Sequence, residues 1–225
     1  MEYGQVASGI FLRRPNRFIA HVLLDGKETV CHVKNTGRCR ELLQPGVRVW
    51  LERSANPNRK TAYDLIAVEK GEKLINMDAQ APNRVFAQWA SCFEPELTAI
   101  RPEFTYGHSR LDFCLETPGG LHLVEVKGVT LEQDGHTLFP DAPTERGVRH
   151  LQELAEAVGQ GLRSSVVFIV QMEQALDFAP NDATHPAFGQ ALRQAAAAGV
   201  QVVAVNCRVW PEGMEILGPI PVRLS

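Results

Sequence analysis

The sequence predicts a two-domain protein of mixed α+β and α/β class, in which a small N-terminal β-barrel is followed by a mixed-sheet α/β domain. Residues 1–81 consist of short strand-like segments separated by Gly, Pro and Asn, whereas residues 82–225 alternate helical apolar spacing with buried strands. The first part has four more basic than acidic residues and the second has seven more acidic than basic residues, which together give the net charge of −3. We therefore assign 1–81 to the first domain and 82–225 to the second.

The first domain is predicted to contain about five strands and one short helix. The helix is expected at 38–43, and the strands are expected at 8–12, 18–24, 29–33, 47–52 and 62–69. Each break between them contains Gly, Pro or Asn, which favour turns. Several short strands in so few residues are typical of a closed barrel of the OB type, which leaves no open sheet edge.

The second domain is predicted to alternate helices with strands. Helices are expected at 83–97, 144–159 and 186–198, and strands at 110–116, 121–127, 165–171 and 200–209. The last two strands are nearly continuous apolar runs, as expected where both faces of a sheet are covered. This order of elements predicts a mixed sheet with helices packed on it.

The most informative segment is the hairpin of strands 110–116 and 121–127. Its turn is centred between residues 118 and 119, which places Asp112 opposite Glu125 and Arg110 opposite Lys127. All four side chains then lie on one face of the hairpin. The other face is expected to carry the apolar residues Leu111, Phe113, Leu115, Val124 and Val126.

Two carboxylates at opposite positions repel one another unless a cation lies beside them. The arrangement therefore predicts Mg²⁺ or Mn²⁺, which take carboxylate oxygens, with Asp112 and Glu125 as ligands. Such an ion stabilises charge on a phosphoryl oxygen, and Lys127 would hold the attacking water or the developing charge. The alternative is an exposed quartet with the diagonal ion pairs Arg110–Glu125 and Asp112–Lys127 and no catalytic role.

Motifs along nearly the whole chain carry a family resemblance. Asp112 followed by Glu125-Val126-Lys127 resembles the D…(D/E)xK signature of the PD-(D/E)xK nuclease superfamily, although Arg110-Leu111 precede the aspartate where the name of the superfamily has a proline. The segments FLRRPNRF, HVKNTGR, ELLQPG, SRLDF, VEVK, FPDAPT and RGxxHL, which start at residues 11, 32, 41, 109, 124, 139 and 146, resemble the sugar fermentation stimulation protein A family. The resemblance implies an OB-like N-terminal domain, a PD-(D/E)xK nuclease-like C-terminal domain, nonspecific DNA binding and a role in sugar, particularly maltose, metabolism.

Further candidates surround the predicted site. Glu103 would add a carboxylate to the metal site, unless it is a solvated acid. Asp141 either begins the following helix or joins the metal site. Arg146 and His150 share one helix face and would reach a phosphate, unless that face is simply solvated. Gln171 either contacts the edge of the site or ends its strand as a polar residue.

Basic side chains are the candidates for nucleic-acid contact. OB-type surfaces bind single strands through a basic groove with stacking aromatic residues. Phe11 and Phe18 would supply such aromatic rings, unless they belong to the barrel core. The predicted contacts are Arg13, Arg17, Lys34, Arg38, Arg40, Arg110, Arg146 and His150.

Two functional hypotheses follow. The first is a nucleic-acid-binding protein, with DNA as the expected partner and no sequence specificity, that is also a Mg²⁺- or Mn²⁺-dependent phosphodiesterase. The second is a DNA-binding regulator that has kept a nuclease fold without catalysis. Five cysteines without a CxxC motif, no signal peptide and no long apolar run predict a cytoplasmic protein with no membrane partner. The sequence does not determine whether catalysis is retained, or whether the nucleic acid is DNA or RNA and single- or double-stranded. It also leaves the oligomeric state open, with a homodimer among the alternatives.

Overall fold

The structure is a computed structural model that describes residues 1–35 and 37–224. It confirms the predicted fold class, because a closed OB-type barrel is followed by a mixed-sheet α/β domain. Thr36 belongs to the segment that starts at residue 32 in the family resemblance, and it lies outside the described residues.

Within the described residues, the first domain is built from six strands. They are β1 (Val6–Asn16), β2 (Ile19–Leu24), β3 (Lys27–Val33), β4 (Arg48–Arg53), β5 (Tyr63–Lys70) and β6 (Lys73–Asn76). The first five pair in the order β3, β2, β1, β4, β5, and a parallel contact between β3 and β5 closes the barrel. Phe11 is 1% exposed and belongs to the barrel core, whereas Phe18 is 45% exposed.

The prediction of a helix at 38–43 is wrong. The segment makes a single turn, in which the N–H groups of Leu42 and Leu43 both donate to the Cys39 carbonyl at 3.3 and 3.0 Å. Gly37 and Pro45 leave room for fewer than two helical turns between them, and Cys39 adopts a left-handed φ of 44°. A helix this short does not offset the cost of its own nucleation.

The second domain contains three helices and nine strands within the described residues. The helices are α1 (Ala81–Phe93), α2 (Glu145–Gly159) and α3 (Pro186–Ala197). The strands are β7 (Ala99–Tyr106), β8 (Ser109–Thr117), β9 (Gly120–Val129), β10 (Leu131–Gln133), β11 (His136–Phe139), β12 (Arg163–Val170), β13 (Asp177–Pro180), β14 (Gln201–Trp210) and β15 (Gly213–Ile220). The predicted helices and strands are thus confirmed, with ends shifted by up to four residues. The short strands β10, β11, β13 and the edge strands β7 and β15 were not predicted.

A six-stranded mixed sheet forms the centre of this domain, in the order β15, β14, β12, β9, β8, β7. Strand β12 is parallel to both of its neighbours, and the other pairs are antiparallel. One face packs on α1 through Phe86, and the other packs on α2 and α3 through Leu154 and Leu192. The hydroxyl of Thr144 accepts a hydrogen bond from the Gly147 N–H at 3.1 Å and so starts α2.

The register predicted for the β8–β9 hairpin is confirmed from Thr117↔Gly120 to Phe113↔Val124. The prediction that Leu111 and Phe113 lie on the same face of the hairpin is wrong. Leu111 packs with Leu151 and Leu154 of α2, whereas Phe113 packs against Phe86 of α1. The alternation breaks at Asp112, whose carboxylate, instead of a main-chain carbonyl, accepts the N–H of Val126 at 2.8 Å. A strand that loses regular pairing at one residue need not keep its period of two across it.

The two domains are joined by polar contacts and by shared apolar clusters. Met1 and Tyr3 pack with Phe86 in the second domain, and the N-terminal ammonium donates to the Met214 carbonyl at 2.7 Å. No helix in the described ranges combines the length and apolar character needed to cross a membrane.

Candidate functional site

Asp112 lies where β8 separates from β9, and two groups hold its carboxylate. Its Oδ2 accepts the Val126 N–H at 2.8 Å, and its Oδ1 accepts the side-chain amide of Asn83 at 2.8 Å. Burial raises the pKa of Asp112, and the negative charge of Glu125 raises it further, so that the pKa lies above its ordinary value despite these hydrogen bonds. The negative charge of Glu125 thus acts on Asp112, although the paired register of the hairpin ends at Phe113↔Val124, one residue before the predicted pair of Asp112 with Glu125.

Glu125 is buried in the middle of β9, with 2% of the residue exposed. Its Oε1 accepts hydrogen bonds from Lys127 Nζ and from His150 Nδ1. Burial raises the pKa of Glu125, but the contact with His150 and the charge of Lys127 outweigh burial and bring the pKa below its ordinary value. Glu125 is thus held as a carboxylate inside the protein.

The second carboxylate oxygen of Glu125 is the unusual feature. Among the described residues, this buried Oε2 has no hydrogen-bond partner. A buried anionic oxygen without a partner is costly and is rare in folded proteins. A cation at this oxygen would satisfy it.

His150 and Arg146 form an extension of this site on α2. Arg146 Nε donates to His150 Nε2 at 3.2 Å, so His150 accepts at Nε2 and donates from Nδ1 to Glu125. His150 is 2% exposed. The ring of His150 is therefore buried and orients Glu125, and its contact with nucleic acid stays a prediction that this burial disfavours. Exposed Arg146 stays a candidate for phosphate contact.

The exposed-quartet alternative does not describe this site. Lys127 pairs with Glu125 and Arg110 pairs with Glu103 at 3.5 Å, so the ion pairs are not the predicted diagonal ones. Glu125 is buried, and half-buried Asp112 is held by two hydrogen bonds.

The structure does not bring the two other predicted metal ligands into contact with Asp112 or Glu125. The side chain of Glu103 is 70% exposed in its ion pair with Arg110. Glu103 interrupts β7 with a left-handed φ of 52°, between Pro102 and Phe104. Asp141 instead accepts the main-chain N–H of Arg38 at 3.1 Å and so contacts the barrel.

The residues present fit Mg²⁺ or Mn²⁺ through two carboxylates. No group of three His, Cys, Asp or Glu side chains that could hold a metal ion occurs within 1–35 and 37–224. Mg²⁺ commonly uses one or two protein carboxylates and keeps several waters. Asp112 and the unpartnered Oε2 of Glu125 meet this requirement, and Lys127 is the adjacent cation.

The predicted basic residues of the first domain divide into two groups. Four of them line a cavity of about 570 Å³ between the β1–β2 turn and the segment 37–45. We call it the arginine groove; it is lined by Arg13, Arg17, Arg38 and Arg40 and by the apolar residues Phe11 and Leu43.

Lys34 is not part of this groove. Its ammonium lies 3.0 Å from Asp78, 3.5 Å from Asp64 and 3.7 Å from Glu52. Burial disfavours the charged ammonium, but these carboxylates outweigh burial and raise the pKa of Lys34. The charge of Lys34 is therefore already balanced by carboxylates, and its contact with nucleic acid stays a prediction that these ion pairs disfavour.

Asn83 positions the site from outside the motif, and Gln171 joins the two domains. Asn83 was missed by sequence reasoning, and the only available signal was its place at the start of a predicted helix. Gln171, predicted as an edge residue or a strand-end residue, donates from Nε2 to Asn76 Oδ1 at 2.9 Å and to the Asp78 carbonyl at 3.2 Å. It therefore ties the interdomain segment to the end of β12.

Comparisons with known proteins agree with this architecture. Residues 12–77 match the family model described as the SfsA N-terminal OB domain, and residues 80–213 match the model described as the sugar fermentation stimulation protein RE domain.

Relatives match along the full chain. A sugar fermentation stimulation protein homolog of Desulfitobacterium hafniense strain Y51 is 54% identical over all of this chain and 99% of its own. One from Ruminiclostridium cellulolyticum is 47% identical over the whole of both chains. A solved structure of Pyrococcus furiosus SfsA in complex with Ca²⁺ is 30% identical, with a TM-score of 0.89 over 99% of this chain and 98% of its own.

Proposed function

The chain belongs to the sugar fermentation stimulation protein family, and we propose that it is a nucleic-acid-binding protein whose second domain carries a divalent-metal-dependent phosphodiesterase site. The observation that carries the proposal is the buried, unpartnered Oε2 of Glu125 beside Asp112 and Lys127. The Pyrococcus furiosus relative was solved with Ca²⁺, a hard cation that takes oxygen ligands like those of this site.

Each residue of the site has a distinct role in this proposal. Asp112 and Glu125 would hold Mg²⁺ or Mn²⁺, which supplies Lewis-acid charge beside a phosphoryl oxygen when bound. Lys127 Nζ would donate to the attacking water or to a nonbridging phosphate oxygen, where negative charge develops. His150 keeps the Glu125 carboxylate oriented through its Nδ1–H, and Arg146 holds the His150 ring in the required tautomer.

The arginine groove would bind the nucleic-acid backbone. Its guanidinium groups are suited to phosphate recognition, and binding through them has no sequence preference. DNA is the expected partner, as in the family resemblance, with RNA as the other substrate to be tested.

A non-catalytic DNA-binding regulator of sugar metabolism is the second candidate. It is favoured by the absence of a third carboxylate at the site in the described residues and by the engagement of Glu125 Oε1 with Lys127 and His150. In that case the nuclease fold would serve binding alone.

The two candidates are separated by a cleavage assay. Labelled single- and double-stranded DNA and RNA are incubated with Mg²⁺ or Mn²⁺ and with wild type, Asp112→Asn or Lys127→Ala. We expect cleavage by wild type and a loss of at least about 100-fold in each variant. Asp25→Asn and Lys60→Ala, on the barrel, are the matched controls. Binding without cleavage of any substrate would overturn the nuclease proposal in favour of the regulator.

A further inference from the structure

The arginine groove is lined on one side by the segment 37–45, which makes a single turn and not a helix. Leu42 and Leu43 turn inward into the barrel core, while Arg38 and Arg40 point away from that core on the other side of the turn. The resulting cavity of about 570 Å³ has the size of a small-ligand site. The cavity is open to solvent along the side that carries the arginines.

Arg14 stabilises the shape of the groove and does not contribute a free cation to it. Its guanidinium donates to the main-chain carbonyls of Arg17 at 2.8 Å, Asn35 at 2.8 Å, Gly37 at 3.1 Å and Arg38 at 2.9 Å. These bonds hold the β1–β2 turn against the segment that carries Arg38. The width of the groove is therefore set by the protein itself before any ligand binds.

Three cations of the groove have no carboxylate partner. Arg13 pairs with Glu28 at 2.5 Å, but the described residues provide no carboxylate within 4 Å of Arg17, Arg38 or Arg40. A cavity with three unbalanced guanidinium groups attracts an anion.

The lining of the groove is partly apolar and partly polar. Leu12 and Pro45 are its accessible apolar residues beside polar Asn16, and the guanidinium of Arg17 lies 4.9 Å from the ring centroid of exposed Phe18. Inorganic phosphate would leave this apolar lining uncovered. A nucleotide would satisfy both parts, because its phosphate pairs with guanidinium groups and its base packs on apolar or aromatic surface.

We propose that the arginine groove binds single-stranded nucleic acid by taking up one unpaired nucleotide, with phosphates on Arg17, Arg38 and Arg40 and the base on the apolar lining. A base paired in a duplex is stacked between its neighbours and does not enter such a pocket. The inference rests on the proposed function, since it specifies the nucleic-acid class that the protein binds.

The groove is also connected to the second domain. Asp141 holds the Arg38 N–H, and a small cleft of about 50 Å³ beside it is lined by Asn35 and Gly128. Gly128 directly follows Lys127.

The test is binding of fluorescent oligonucleotides of about 12 nucleotides to the full chain in EDTA, measured by anisotropy, so that cleavage plays no part. The probes are a single strand, its duplex and an abasic single strand of the same length. We expect the single strand to bind at least about tenfold more tightly than either of the other probes, because stacking of one base contributes roughly that factor.

The variant series uses Arg38→Gln/Arg40→Gln, with Arg53→Gln on the same barrel as the matched control. We expect the double variant to weaken single-strand binding about tenfold or more and to lower the slope of log K against log salt by about 1.4, since each phosphate contact on a single strand contributes about 0.7. The control is expected to bind as wild type does. Circular dichroism establishes that the double variant is folded, and either single substitution replaces it otherwise.

Three results would overturn the inference: equal or tighter binding of the duplex, equal binding of the abasic strand, or single-strand binding that survives the double variant. None of them affects the cleavage assay with Asp112→Asn. Conversely, intact groove-dependent binding without cleavage by wild type would overturn the phosphodiesterase proposal and leave the groove assignment standing.

Discussion

The side-chain amide of Asn83 donates a hydrogen bond of 2.8 Å to Oδ1 of Asp112, and so joins the first turn of α1 to the point where β8 separates from β9. The carboxylate of Asp112 therefore has a fixed orientation before a cation or substrate is present. The orientation depends on packing between elements far apart in the chain.

Asn83→Ala is expected to lower cleavage about tenfold and to destabilise the fold by about 1–2 kcal/mol, because Asp112 loses one of its two hydrogen bonds. Single-turnover cleavage and urea unfolding measure the two effects. Gln80→Ala is the control, since Gln80 is exposed beside the same helix end and its side chain makes no cap hydrogen bond. Cleavage at the wild-type rate in Asn83→Ala would show that Asp112 needs no such positioning.

His150→Phe is expected to weaken Mn²⁺ binding by about tenfold, because a residue that orients a metal ligand typically contributes 10- to 100-fold to affinity. The phenyl ring fills similar space but cannot donate to Glu125 Oε1. Isothermal titration calorimetry measures the affinity, and exposed Arg149→Gln on the same helix is the control. Unchanged Mn²⁺ affinity would remove His150 from the proposed site.

Two substitutions of Asp141 distinguish metal coordination by its carboxylate from positioning of the segment that carries Arg38. Asp141→Asn keeps an oxygen that can accept the Arg38 N–H but removes the carboxylate, whereas Asp141→Ala removes both. We expect Mn²⁺ affinity to stay near wild type in both variants and single-strand binding to fall about three- to tenfold only in Asp141→Ala, as loss of one hydrogen bond predicts. A loss of Mn²⁺ affinity in Asp141→Asn would instead restore Asp141 as a metal ligand.

Glu132 provides a pH test of the contact between the domains. Burial raises its pKa, but hydrogen bonds from Lys70 at 2.6 Å and Lys73 at 2.8 Å outweigh burial and lower the pKa to about 2. Ionised Glu132 therefore stabilises the fold. This stabilisation is fully present above pH 4.5, the ordinary pKa of the carboxyl group, and it is lost as the pH falls toward 2.

Glu132→Gln is therefore expected to destabilise the protein by about 2 kcal/mol at pH 7, allowing for the partly exposed lysines, and by progressively less below pH ~4.5. Urea unfolding of both proteins between about pH 7 and 3 measures the difference. Glu72→Gln, exposed in the same β5–β6 connection, is the control. A difference that does not shrink in acid would contradict an ionic contribution.

His122 provides a second pH test on the α1 face of the sheet. Its Nδ1 lies 2.9 Å from Glu94 and its Nε2 lies 2.7 Å from the hydroxyl of Ser165, and all three residues are buried. Burial lowers the pKa of His122, although the hydrogen bond to Glu94 opposes this. The unfolded chain then takes up a proton below pH ~6.5 that the folded chain does not, so stability falls as the pH drops.

We expect the free energy of unfolding of wild type to decrease between about pH 7 and 5, and His122→Gln to be less stable at pH 7 but flatter over this range. Chemical unfolding at several pH values measures both slopes. His108→Gln, at an exposed position, is expected to keep the wild-type slope. Equal slopes in wild type and His122→Gln would assign the pH dependence to other groups.

The domain order, the three helices and the β8–β9 register from Thr117↔Gly120 to Phe113↔Val124 were predictable from the sequence. Each rests on local information, because turn residues, apolar period and hairpin length act over a few neighbouring residues. The same local reasoning failed at 38–43, where helical spacing is present but the segment is too short to sustain a helix.

Long-range contacts decided the rest. Lys34 and Arg38 are alike in the sequence as basic residues of one turn region, yet one is surrounded by carboxylates and the other lines the arginine groove. His150 and Asn83 joined the site only because α2 and α1 pack on opposite faces of the same sheet. The sequence alone thus determined which elements form and which acids lie on the two neighbouring strands of the hairpin. Tertiary packing decided which charges are balanced inside the protein and which are presented to a ligand, since that depends on partners distant along the chain.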